Sequence, residues 1–198
     1  LSKDKSDELA FTRANLQMSL GIVHSKQEGS DFSDVKAYYE SSLSILEKIN
    51  NQEDLGVQNL KGKIMSNMGR LLFENEEIEK SLKFFQDALK IAENTEDRLA
   101  EGMRLGNLAR AYGKLNELEK AIIHFENADF VLRHSNNIIE RIYLLNDFGK
   151  FYDVLCDDRE KAKEQFEQVA LLCRKIDYEV PDNVTAFLNN QEVEDEES

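Results

Sequence analysis

Apolar residues recur every three or four positions along almost the whole chain, and short polar stretches interrupt them at nearly even intervals. Leu105, Leu108 and Tyr112 share one helical stripe, and Ala121, Phe125, Ala128 and Leu132 share the next. The polar pair Asn116 and Glu117 falls between them. The pattern therefore predicts a helix over roughly 98–115, a turn, and a helix over 118–134. Extended along the chain, it predicts hairpins over 9–50, 54–94, 98–135 and 138–176. With one Pro (Pro181) and nine Gly, little in the chain would break such helices.

The pattern is also a repeat. Gly69 and Ala109 lie 40 residues apart, as do Phe85 and Phe125, and Ala88 and Ala128. Gly149 follows 40 residues after Ala109, and Tyr152 is in register with Tyr112. Phe166 is displaced by one residue, with an insertion around Asp157 and Asp158 as the simplest cause. A weaker copy begins at Gly21, with Tyr38 and Tyr39 matching Phe84 and Phe85. The small residues have a packing reason: a neighbouring helix can approach closely there, and the aromatic one helix later fills the space beside it. One hairpin cannot bury its own apolar stripe, so several must stack.

The small residue, the Tyr three positions later (Tyr112, Tyr152), Ala121 or Ala162, the large aromatic, and Ala88 or Ala128 together resemble the tetratricopeptide repeat family. The resemblance covers residues 9–175 and implies an all-α fold: a right-handed α-solenoid of about four helical hairpins plus a C-terminal capping helix. The family's common repeat is roughly 34 residues. Here it is about 40, and the excess lies between the aromatic and the next hairpin. This is similar to the long-helix members: Pins/LGN-type adaptors, kinesin light chain and Rap-type regulators, which bind polypeptides. The array is expected to end near residue 176, with a capping segment over 177–190 and a disordered acidic tail over 191–198.

Charge narrows the function. The formal net charge is −14, and residues 177–198 hold eight acids and no Lys or Arg. Duplex nucleic acid is disfavoured, since its binding rests on Lys and Arg displacing counterions. An anionic membrane is disfavoured for the same electrostatic reason. Two cysteines, Cys156 and Cys173, are too few for a disulfide scaffold or a four-ligand zinc site and read as structural thiols. His24, His124 and His134 have no metal-site spacing, and His24 stands where the repeat has Tyr, which reads as packing. No cofactor, metal or catalytic group is expected. The opening residues have no apolar signal core, and the first is Leu, which reads as a segment of a longer protein; a reducing cytoplasm is the expected compartment.

Binding residues are expected on the first helix of each hairpin. Lys63, Asn67, Arg70 and Glu74 fall at spacings of four, three and four. Their counterparts are Met103, Asn107, Arg110 and Lys114, then Tyr143, Asp147, Lys150 and Val154. By the resemblance, this face lines the concave groove. Arg104 and Arg141 lie nearby in sequence. The first helices of the second and third copies count to about +2 and +3, and their second helices, taken with the acidic turn residues that precede them, to about −2. Asn amides and Arg forks suit an extended, acidic peptide.

The expectation is therefore an adaptor or scaffold that holds an acidic segment of another protein and performs no catalysis. The alternative is a peptide-sensing or accessory regulatory domain of a larger signalling protein or enzyme. A monomer is expected.

Overall fold

The computed structural model describes residues 5–196, with side chains through residue 190. Among the described residues the chain is entirely helical: α1 (Lys5–Ser25), α2 (Phe32–Leu46), α3 (Leu55–Glu74), α4 (Ile78–Asn94), α5 (Arg98–Lys114), α6 (Leu118–His134), α7 (Ile138–Val154), α8 (Arg159–Lys175) and α9 (Asp182–Glu196). It divides into two compact units, Leu1–Ala100 and Glu101–Ser198, with the division inside the first turn of α5.

In the first unit α1 pairs with α2 and α3 with α4, and α2 and α1 both pack on α3. Its core runs from Ala14 and Met18 through Val35, Tyr39 and Leu46 to Leu60, Ile64, Met68 and Leu72. In the second unit α6 packs on α7, α7 on α8, and α8 on α9. Phe125 stacks on Phe148 with ring centroids 4.6 Å apart, and Phe166 meets Phe187 of α9 at 4.8 Å. Val184 and Phe187 are buried, so α9 covers the apolar end of the last hairpin.

Close approach at the small residues sets the register. A Cβ on Gly21 would lie 2.6 Å from the Tyr39 ring, one on Gly69 2.6 Å from Phe85, and one on Gly149 2.5 Å from Phe166. In each of these three hairpins the aromatic occupies the volume that the glycine leaves empty.

The turns are built alike. Glu76, Glu96, Asn116, Asn136, Asp157 and Asp177 all have left-handed backbone, with φ between 53° and 61°. The residue after the left-handed one reaches back over the helix end: Glu77 N donates to Leu72 O at 2.9 Å, and Asp97 N to Ala92 O at 3.0 Å. These bonds satisfy carbonyls that the helix end would leave unpaired. Helix starts use side chains: Asp54 accepts from Gly56 N and Val57 N, Asn137 from Glu140 N, and Asp158 from Lys161 N.

One sequence expectation is corrected. The boundary drawn at residue 190 falls inside α9, whose helical backbone continues to Glu196. Nothing after Pro181 breaks it, since neither Pro nor Gly follows. Residues 197–198 of the expected acidic tail lie outside the described residues.

Candidate functional site

The polar rows expected on the first helices fall on α3, α5 and α7. On α3, Lys63 and Arg70 are exposed and Asn67 is half-buried. Arg70 Nη2 lies 3.8 Å from Glu74 Oε1, with both side chains more than half exposed. Such a pair leaves the guanidinium free to exchange partners.

The second unit is more constrained. Arg110 Nη1 lies 3.4 Å from Asp147 Oδ2, a bridge from α5 to α7. Arg110 Nη2 also donates to Asn107 Oδ1, and Asn107 is buried. Burial raises the Asp147 carboxyl above its ordinary range, against the opposing pull of Arg110 and then Lys150. Lys114 and Lys150 are exposed at the edges of this cluster. The row in this unit is thus a hydrogen-bonded set of both signs.

Two arginines lie elsewhere. Arg104 is only 6% exposed and belongs to the buried interior of α5. Arg141 Nε donates to Asp129 Oδ1 at 2.5 Å, and its Nη2 to Gln168 Oε1 at 3.1 Å. With its side chain 15% exposed, Arg141 ties α7 to α6 and α8. Neither guanidinium is presented on an open face. Helix geometry could have shown this. Arg141 precedes Lys150 by nine residues, which is half a turn around the helix, and Arg104 precedes Arg110 by six.

Sequence reading missed the contacts that α9 and the segment leading into it make with α7. Asn146 and Asn183 exchange amide hydrogen bonds, Asn183 Nδ2 donating to Asn146 Oδ1 at 2.7 Å. The Tyr143 and Tyr178 hydroxyls are 2.9 Å apart. Outside the repeat there is no period to fix a register, so nothing in the sequence aligned these pairs.

The remaining chemistry is structural. His24 stacks on Tyr38 with centroids 4.9 Å apart, the expected packing role. His124 lies parallel to Tyr112 at 5.2 Å, and burial lowers its pKa. Burial raises the thiols of Cys156 and Cys173, which makes both poor nucleophiles at neutral pH. Among the described residues no group of three or more His, Cys, Asp or Glu could hold a metal ion, and no helix is long and apolar enough to cross a membrane.

The packing defines an all-α helical-repeat protein, a class that presents side chains from stacked hairpins to other proteins. Residues 61–128 match the tetratricopeptide repeat family model. The fold is similar to BtubC (BKLC) from P. vanneervenii, with a TM-score of 0.70 at 16% identity, over 94% of this chain and 82% of that one. It is also similar to the nearly identical TPR-like repeats of a Podosopora anserina kinesin light chain, with a TM-score of 0.64 at 16% identity, over 83% and 77%. No curated protein sequence matches the chain. Tetratricopeptide repeats generally mediate protein–protein contacts and are typically non-catalytic.

Proposed function

We propose that this protein is an adaptor or scaffold that holds an extended segment of another protein on the first-helix faces of its repeats. The observation that carries this reading is the cluster of Asn107, Arg110, Asp147 and Lys150, in which α5 and α7 pool amide, cationic and anionic groups on one partly open face. Amides pair with a peptide backbone, while the exposed Lys114 and Lys150 attract its carboxylates. On α3, Lys63, Asn67 and Arg70 offer the same chemistry. Because Asp147 already engages Arg110, an acidic ligand gains most from Lys114 and Lys150 on the face of the second unit, and from Lys63 and Arg70 on that of the first. Arg104 and Arg141 have no part in this reading.

The test is selection of binders from a displayed library of random peptides, followed by titration of the selected peptides. Arg70→Glu, Arg110→Glu and Lys150→Glu combined in one chain should abolish their binding and leave the helical signal unchanged. Equal affinity for both proteins, or no enrichment of acidic sequences, would overturn the reading of an acidic partner on these faces.

A further inference from the structure

The second helices of the hairpins differ at places where their packing is the same. Tyr39, Phe85, Phe125 and Phe166 are the buried aromatics of α2, α4, α6 and α8, and they fix the correspondence. Five residues beyond them stand Ser44, Lys90, Phe130 and Leu171, all exposed. Eight and nine residues beyond stand Glu47 and Lys48, Glu93 and Asn94, Arg133 and His134, and Arg174 and Lys175. The first unit fills these places with polar groups of both signs. The second unit fills them twice over with one apolar residue and two bases. Phe130 and Leu171 are each 65% exposed, and Ile123, two turns before Phe130 on α6, is 54% exposed. The fold does not require this pattern, since α2 and α4 do without it. Nor does the helix dipole, which bases in a last turn complement, because α2, α4 and α7 end with none.

The two apolar residues belong to one surface. The Arg141 guanidinium joins Asp129, the residue before Phe130, to Gln168, one turn before Leu171. Asp129 is shared with Arg133, so one carboxylate answers two guanidiniums and positive charge is left over. In a chain of net charge −14, this local excess beside exposed apolar side chains makes a surface complementary to apolar and acidic groups together. Ile123 and Phe130 are seven residues apart, about 10.5 Å along α6, the period at which one helix meets another. An anionic bilayer fits less well. Glu126 and Glu167 stand exposed one turn from Phe130 and Leu171, and Asp177 and Glu179 follow α8.

We propose that the α6 and α8 face of the second unit, centred on Phe130 and Leu171, docks an amphipathic helix of another protein that carries Asp or Glu beside its apolar stripe. The stripe covers Ile123, Phe130 and Leu171, and the acids meet Arg133, Arg174 and Lys175. These are second helices, so this partner is distinct from the segment assigned to the first-helix faces, and one chain holds two proteins.

The test uses a displayed library of amphipathic helical peptides, with leucine fixed along one face and the other positions randomised. Selection on the whole chain should enrich Asp and Glu beside the leucines. Phe130→Ser combined with Leu171→Ser should weaken the selected peptides by about tenfold or more, with unchanged circular dichroism. Arg174→Glu combined with Lys175→Glu should also weaken them, and that loss should shrink in added salt. Lys90→Ser, at the matching exposed place on α4, should leave binding unchanged. A library that yields no binder, binders without acidic preference, equal affinity in the Phe130 and Leu171 variant, or a loss in Lys90→Ser would each overturn the proposal. Sedimentation with phosphatidylserine vesicles that the Phe130 and Leu171 variant abolishes would overturn it too, because the face would then meet lipid. Self-association abolished by the same variant would give the face to a second copy of the chain and overturn it likewise.

Discussion

Phe85 occupies the space that a side chain on Gly69 would need: its Cδ1 and Cε1 atoms lie 2.6 Å from the position of that absent Cβ. Both residues are buried, and the ring has no room to retreat. Overpacking a core costs about 1–3 kcal/mol. Alanine in a helix recovers about 1 kcal/mol over glycine. Gly69→Ala should therefore lower stability by up to ~2 kcal/mol. Gly113→Ala, where the nearest ring atoms are 3.2 Å away, should be close to neutral. Urea midpoints of the two variants decide the matter, and a stabilised Gly69→Ala would refute the packing account.

These glycine–aromatic pairs were legible because each rests on one helical turn of periodicity and a fixed spacing. The ion pairs were not. Whether Arg110 meets Asp147, or Arg141 meets Asp129, depends on which neighbouring helix face the stack brings near, and Asp129 belongs to a different helix from Arg141. Nearness in sequence placed Arg141 with the binding row, although the same helical period that revealed the repeat puts it on the opposite side from Lys150. The docking of α9 lay beyond the repeat, so no internal copy could supply its register.

The buried and exposed arginines should differ sharply on mutation. Asp129→Ala leaves Arg141 enclosed between α6 and α8 with Gln168 as its remaining side-chain partner. Breaking such an enclosed pair costs about 3 kcal/mol. Arg70→Ala removes a pair that is open to water on both sides and should change stability by less than about 0.5 kcal/mol. Thermal unfolding of both variants checks this, and similar losses would place Arg141 on the surface instead.

The left-handed turn residues carry strain that glycine lacks. Glu96 sits at φ 54° between α4 and α5, where an L side chain crowds its own carbonyl. Glu96→Gly should stabilise the chain by about 1 kcal/mol. Asn116→Gly should do less, because asparagine tolerates this region. A rise in melting temperature for the first and little change for the second is the expected result. Equal effects would show that the turn's backbone geometry is not the cause.

His124 makes stability depend on pH. Burial lowers its pKa below the ordinary 6.5, so the folded chain holds the ring neutral while the unfolded chain protonates it more readily. A depressed folded value means that the contribution is complete above about 6.5 and is lost as pH falls through the folded value. His124→Phe keeps a ring against Tyr112 and removes the titration. Between pH 7.5 and 5.5 the wild type should lose more of its urea midpoint than this variant. Parallel losses would mean that His124 does not titrate in this window.

Asp147 sets the sign of the second unit's row. Burial raises its carboxyl, so the sign is opposite to that of His124: its favourable contribution is complete below the ordinary 3.8 and fades as pH rises through the folded value. At neutral pH the carboxylate is held in place by Arg110 and Lys150 and in turn consumes part of their charge. Asp147→Asn keeps the shape, removes the cost of a buried charge, and returns Arg110 to any ligand nearby. If carboxylates of a bound peptide meet this face, the variant should hold an acidic peptide about fivefold more tightly, the equivalent of roughly 1 kcal/mol. Added salt should erode that gain, since it rests on charge. Arg110→Gln should move affinity the other way, and combining it with Asp147→Asn should cancel the gain, because the two act through one pair. Calorimetric titration of a single acidic peptide against the three variants separates these outcomes, and an unchanged affinity in Asp147→Asn would show that the ligand does not reach Arg110.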